Sequence, residues 1–211
     1  MLTTFNRTKE SSRRREANDG EARRTYIAPF LTELNWMAVA WRDEELEGNA
    51  FGHASRRSAE LSLARLPGLA QSFCRIDIES QAAELPDWAA ELIGKLQRFA
   101  EGEPVDFSST PLAFDHLTSF GRHVVAACRR IPWGQTRSYG ELAAECGSPG
   151  AARAVGSVMA KNRYPLIVPC HRVLAAGGEL GGYSAPDGLK MKERLLEMEC
   201  FTADFTRKKP R

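Results

Sequence analysis

Cys170 and His171 stand side by side in LIVPCHRVLAAGGELGGYS (residues 166–184), after an apolar run and a proline and directly before a glycine-rich segment. A cysteine attacks as its thiolate, so it needs a positive surround or a base that takes its proton. His171 and Arg172 offer both next to the sulfur, and Asn162 lies shortly upstream. Neighbouring side chains on an extended chain point to opposite faces. The spacing therefore predicts a water relay between thiol and imidazole rather than direct contact.

A catalytic base needs an orienting partner. In GLKMKERLLEMEC, Glu199 follows Leu195 and Leu196 at helical spacing, which puts it on or beside the apolar face of a helix. A carboxylate there must be paired, or it costs several kcal/mol. Two placements fit: pairing with a histidine beside Cys170, giving a Cys–His–Glu chain, or fraying into solvent at the helix end. Cys74, Cys128, Cys146 and Cys200 carry no such company and read as structural thiols. Five cysteines, odd in number and without a CxxC pair, fit reduced thiols in a cytoplasmic or nuclear setting. His53, His116, His123 and His171 have no zinc-ligand spacing with them, so no metal is expected. No apolar run is long enough to span a bilayer, and the N-terminus lacks a signal-peptide core. A cytoplasmic protein is expected.

The chain of 211 residues is 43% hydrophobic and 27% charged, as expected of a globular protein. Its net charge of +2 hides an asymmetry. Lys and Arg against Asp and Glu count 14 to 19 in residues 1–119 and 15 to 8 in residues 120–211. The second part is the one suited to a polyanion, though a solvated basic surface fits the charge equally well.

Residues 1–28 read as a disordered basic tail and residues 29–107 as an N-terminal α/β domain. Residues 36–41 suit a buried strand, with a turn at Glu47–Gly48–Asn49 leading to a second. SRRSAELSLARL reads as a short helix closed by Pro67–Gly68. LPDWAAELIGKLQRFAEGEP is a clearer amphipathic helix, with Trp88, Leu92, Leu96 and Phe99 on one face. Residues 105–119 look like a linker. Residues 108–205 would form the second domain.

In that domain FGRHVVAACRRI is a helix. Ser138 followed by Glu141 is a capping box that starts a helix at Tyr139, and Gly147 ends it. Ser148 is expected to cap the next helix, with Pro149 in its first turn. Two short helices with a tight turn make a helix-turn-helix. An apolar strand (PLIVP), a glycine-rich hairpin and a last helix follow, which suggests a winged helix. The second helix, AARAVGSVMAKN, carries Val155, Val158 and Met159 as a core stripe. Its outer face has small residues and one long side chain early on, Arg153. A sequence-reading helix would present several Arg, Lys, Asn or Gln side chains. This one suits close, sequence-blind contact with DNA, or merely tight helix packing.

SYGELA (138–143), AARAVG (151–156), PCHRV (169–173) and GGYS (181–184), in this order, resemble the methylated-DNA–protein-cysteine methyltransferases, which repair guanine alkylated at O6. The resemblance covers about residues 114–200, with a looser fit before it. It implies an α/β (α+β) fold with an N-terminal ribonuclease-H-like domain and a C-terminal winged-helix alkyltransferase domain. It also implies direct, irreversible, single-turnover transfer of the alkyl group from guanine O6 to Cys170, with alkylated thymine O4 a further candidate. His171 would act through water, oriented by Glu199, and Asn162 would hold the hinge at the site. Arg153 would enter the base stack as the nucleotide flips out, with Tyr139, Ser148 and Ala152 also at the DNA. Tyr139 would help protonate the departing guanine. Tyr183, Ser184, Pro165 and Met159 would line the pocket. The partner would be double-stranded DNA bearing O6-alkylguanine, bound by a monomer without cofactor.

Three other readings compete. Non-enzymatic binders of alkylated DNA in this family replace the cysteine, and this chain keeps Cys170. Methylation-triggered transcriptional activators need a zinc domain and a second helix-turn-helix. A cysteine protease would leave the helix-turn-helix unused.

Overall fold

A computed structural model describes residues 24–69 and 73–199. Strands β1 (Thr25–Thr32), β2 (Asn35–Arg42) and β3 (Glu45–His53) form an antiparallel meander, joined by β4 (Phe73–Arg75) parallel to β1, in the order β3-β2-β1-β4. The buried run in β2 is explained by two covered faces. Met37, Val39 and Trp41 point into the main core, while Ala38 and Ala40 point to the other face. There Ala59 and Leu63 of helix α1 (Arg56–Ala64) cover them. The alternation of large and small residues thus sets which face takes a helix at close range. Each large side chain buried this way contributes about 1.5–3 kcal/mol. Helix α2 (Asp87–Ala100) lays Leu92, Leu96 and Phe99 into the main core, with Trp88 half-buried at its edge.

The β2–β3 turn falls at Asp43–Glu44, not at Glu47–Gly48–Asn49. Those three residues lie inside β3, where a bulge near Glu47 accommodates the extra residue. β1 also takes up residues 25–28, which composition places in the tail, because Ile27 and Ala28 are core residues. The remainder of that expected tail, residues 1–23, lies outside the described residues.

Residues 105–119 are docked rather than linking freely. Leu46 N–H donates to Pro111 O at 2.9 Å, and Ala113 N–H donates to Leu46 O at 2.9 Å. Phe107, Leu112 and Ala113 are buried. β3 is an edge strand, and this segment satisfies the outward backbone groups of Leu46.

Helix α3 (Ser119–Arg129) follows, then strand β5 (Arg137–Ser138), helix α4 (Tyr139–Glu145) and helix α5 (Ala152–Ala160). The capping box is formed: Glu141 N–H donates to Ser138 Oγ at 3.1 Å, and Ser138 N–H to Glu141 Oε2 at 2.6 Å. Ser148 does not cap α5, which starts at Ala152 with no capping side chain. Ser148 N–H is engaged with Ala143 O (3.0 Å) and Gly147 N–H with Ala144 O (2.9 Å). This pair of bonds closes α4, with Gly147 at φ 70°. Ser148 therefore belongs to the end of one helix instead of the start of the next.

PLIVP is a buried turn and not a strand. Val168 N–H returns to Tyr164 O at 2.7 Å, and Leu166 sits at φ 72°. Cys170–Arg172 form a turn of 3-10 helix, and Val173–Leu174 (β6) pair in parallel with β5. The glycine-rich stretch forms a second 3-10 turn at Ala176–Gly178, with no hairpin pairing among the described residues. Helix α6 (Leu189–Met198) ends the described chain. Residues of both halves, among them Leu46, Phe99, Cys128 and Leu195, share one continuous core.

Candidate active site

Cys170 and His171 sit in one turn of 3-10 helix, both buried. Cys170, 7% exposed, lies in the wall of an open pocket of about 690 Å³. Tyr139, Met159, Tyr183 and Ser184 line the same pocket, with Ala152 and Arg153 of α5 at its rim. Pro165 is displaced from it. It faces a narrower crevice of about 110 Å³, whose wall also includes Cys170, Tyr183 and Ser184. Ser148 stands apart in the α4–α5 turn. Arg153 and Ser157 are exposed on the outer face of α5, while Val155 and Met159 are buried. Gly181, at φ 67°, lets its backbone pass the Tyr139 ring, since a Cβ there would come within 3.3 Å of it.

Asn162 Nδ2 donates to Val168 O (2.9 Å) and to Cys170 Sγ (3.3 Å), and its Oδ1 accepts from Tyr164 N–H (3.0 Å). Burial pushes the Cys170 thiol up, while the Asn162 amide and the Lys192 ammonium pull the other way. The resting group is therefore a neutral thiol, and it needs a base at the moment of reaction.

His171 supplies the geometry of that base. Its Nε2 lies 2.7 Å from Glu199 Oε1, with both side chains fully buried. Burial pushes the imidazole below its ordinary range, against the pull of Glu199, so it is neutral at pH 7. A carboxylate partner fixes the proton on Nε2 and leaves Nδ1 as the acceptor. Nδ1 is buried and has no partner among the described residues.

Glu199 does not fray. Arg172 Nε donates to its Oε2 (2.9 Å), Arg172 Nη2 to its Oε1 (2.9 Å), and Gly134 N–H to its Oε2 (3.1 Å). Burial would raise its carboxyl, but the His171 and Arg172 bonds outweigh this and hold it below the usual range. Arg172 also donates to Ile131 O (2.6 Å) and lies over the Trp133 ring.

Two buried charges escaped the sequence reading as parts of the site. Arg172 appeared there only as nearby positive charge. Lys192 donates to Val173 O (2.6 Å) and Leu180 O, and burial pushes it down to about 8. Its signal was available: Lys192, Leu195, Leu196 and Glu199 follow the i, i+3, i+4, i+7 spacing of one buried stripe. Tyr139 is half-buried, and burial raises its phenol, so it holds its proton as a donor. The described residues contain no cluster that could hold a metal ion, and no helix among them is long and apolar enough to cross a membrane.

Residues 119–201 match the family model of the 6-O-methylguanine DNA methyltransferase DNA-binding domain. A methylated-DNA–protein-cysteine methyltransferase of Mycolicibacterium paratuberculosis is 50% identical over 117 residues, 55% of this chain and 68% of that protein. One of Mycobacterium leprae is 45% identical over 111 residues, 52% of this chain. The match spans only 64% of that relative's length. Mycobacterium tuberculosis OGT in complex with DNA superposes with a TM-score of 0.63 at 28% identity, covering 83% of this chain and 93% of that one.

Proposed function

Because the chain belongs to the methylated-DNA–protein-cysteine methyltransferase family, we propose that it repairs double-stranded DNA by moving the alkyl group from guanine O6 onto its own Cys170. The observation that carries this reading is the position of Cys170 in the pocket wall, backed by the His171–Glu199 pair and faced by a rim of small residues with one arginine.

The site accounts for the atoms and electrons. The Cys170 S–C bond forms as the C–O6 bond breaks, and the electron pair leaves with the guanine. The thiol proton passes to His171 Nδ1 through one water, and the guanine takes up one proton in turn, aided by the Tyr139 hydroxyl. Nothing returns the sulfur to its free state, so each molecule acts once. No cofactor is required, since the alkyl carbon changes only the atom it is bonded to.

A base in a duplex is out of reach of a buried sulfur, so the nucleotide must leave the stack. Ala152 and the small face of α5 allow close approach to the backbone, and Arg153 is placed to fill the gap. Ser148, in the turn before α5, serves the backbone contact. Tyr183, Ser184 and Met159 hold the base. Asn162 holds the turn at the sulfur. The α3–α5 arrangement beside the β5–β6 pair supports reading residues 108–205 as a winged-helix domain. The β3-β2-β1-β4 sheet with its helices supports reading residues 29–107 as a ribonuclease-H-like domain.

Single use has a direct test. With a lesion-bearing duplex in excess, removal of O6-methyl groups is expected to stop at one per protein molecule. Continued removal past that point would show a turnover enzyme instead.

A further inference from the structure

β3 lies at the edge of its sheet, and Gly48–Asn49 is where that edge meets the turn carrying the active site. Asn49 is 4% exposed. Its N–H donates to Arg163 O at 2.9 Å, and its side-chain Nδ2 donates to Pro165 O at 2.9 Å. One residue thus holds the two carbonyls that flank Tyr164. Gly48 makes the approach possible, because a Cβ there would lie 3.3 Å from Arg163 O and 2.7 Å from Leu66 Cδ1. The bulge near Glu47 sets the backbone of Asn49 to face outward at this point.

The clamped turn leads straight to the sulfur. Asn162 precedes it, accepts from Tyr164 N–H, and donates to Cys170 Sγ. Tyr164 is fixed at its far end as well, by a hydroxyl bond to Ala113 O. Asn49 Oδ1, by contrast, is buried with no partner among the described residues. An apolar residue of similar volume would avoid the cost of that orphan acceptor. What the amide adds is its Nδ2 donor to the turn.

We propose that Asn49 is a positioning residue for the nucleophile: from the N-terminal sheet it clamps the 163–165 backbone and so keeps the Asn162 amide on Cys170 Sγ. Its part in alkyl transfer rests on the function proposed above, but its effect on the sulfur can be read without DNA. An amide donor favours the thiolate over the thiol. A loosened Asn162 therefore leaves a sulfur that is harder to ionise and slower to react.

The test uses the full chain and iodoacetamide as the probe, with carbamidomethylation of the Cys170 peptide followed by mass spectrometry across pH. Asn49→Ala is expected to move the half-maximal pH upward and to slow the reaction at pH 8 by about tenfold, the size of one hydrogen bond to a charged acceptor. Asn49→Ser, the milder change, carries the same test where Asn49→Ala does not fold. Asn162→Ala is expected to give a similar shift. The double variant should add nothing beyond the larger single effect, because both changes remove the same contact. A merely structural Asn49 would lower the melting temperature but leave the pH profile of the folded protein in place. That unshifted profile, or additive effects in the double variant, would overturn the proposal. If the wild-type protein took no methyl group from DNA, the repair reading would fail while this profile stayed readable.

Discussion

Glu199→Ala is expected to cost about 3–5 kcal/mol of stability, the penalty for leaving buried charge without its partner. The carboxylate accepts from His171, Arg172 and Gly134 at once, and its removal strands the Arg172 guanidinium in the core. Chemical denaturation of the two proteins measures the difference. Glu199→Gln tests the chemistry in a side chain of the same shape. It keeps one acceptor oxygen but turns an NH2 toward two of the buried donors and leaves the Arg172 guanidinium without its counter-charge, so it should cost stability as well, and its rate is read on the folded protein. It cannot hold the His171 proton on Nε2 by charge. Transfer should therefore slow by about 10²- to 10⁴-fold, the range of a general base. Equal loss of rate and stability in both variants would make Glu199 a structural residue only.

The same network predicts acid sensitivity. The Glu199 carboxyl is held low in the folded protein, so its contribution is complete above the unfolded value of about 4.3. It is lost as pH falls through the lower folded value. His171 acts earlier with the same sign. Its folded imidazole is pushed below the ordinary value, so the unfolded chain binds the extra proton once pH drops under about 6.5. His116, lowered to about 4 chiefly by burial, adds to this. Melting temperature should thus fall from pH 7 toward pH 4, without the gain on acidification that a raised histidine would give.

Cys170→Ser is expected to abolish transfer, with a loss on the order of 10⁶-fold, as when the nucleophile of a triad is removed. The change replaces one sulfur in a wall that is 7% exposed. Binding of the duplex and the fold should both persist. The hydroxyl is far harder to ionise than the thiol, and the neutral His171 cannot take its proton to any useful extent. Rapid-quench measurement of O6-methylguanine loss checks this. Residual transfer to another cysteine would place the acceptor elsewhere, with Cys128, the other buried cysteine of the same core among the described residues, a candidate.

Local signals were readable in proportion to how little they depended on distant residues. Ser138 and Glu141 make a cap within one turn of chain, and it formed as the spacing indicated. Trp88, Leu92, Leu96 and Phe99 marked the face of α2 because a helix must bury one stripe. Glu199 stands out as a carboxylate on an apolar stripe that needs a partner, and the fold supplies donors from three residues, His171, Arg172 and Gly134.

Ambiguity arose where one residue type serves two ends. A serine after Gly147 suits the start of α5 as well as the closure of α4, and backbone bonds to α4 decide it. The apolar run at 165–168 marks burial, and burial alone does not separate a strand from a turn. Arg172 could not be assigned to Glu199 from sequence, since nothing local ties the start of β6 to the end of α6. Asn49 and Pro165 are 116 residues apart, and only the docking of the sheet edge brings them together.

Where the alkyl group goes decides the mechanism. The measurement is intact-mass and peptide mass spectrometry after mixing the protein with a duplex that carries a single O6-methylguanine. The predicted result is a gain of one methyl group on the peptide containing Cys170, matched by loss of the methyl group from the DNA and absent in Cys170→Ser. A protein that binds the lesion while every peptide keeps its mass would contradict it and make the chain a binder of alkylated DNA.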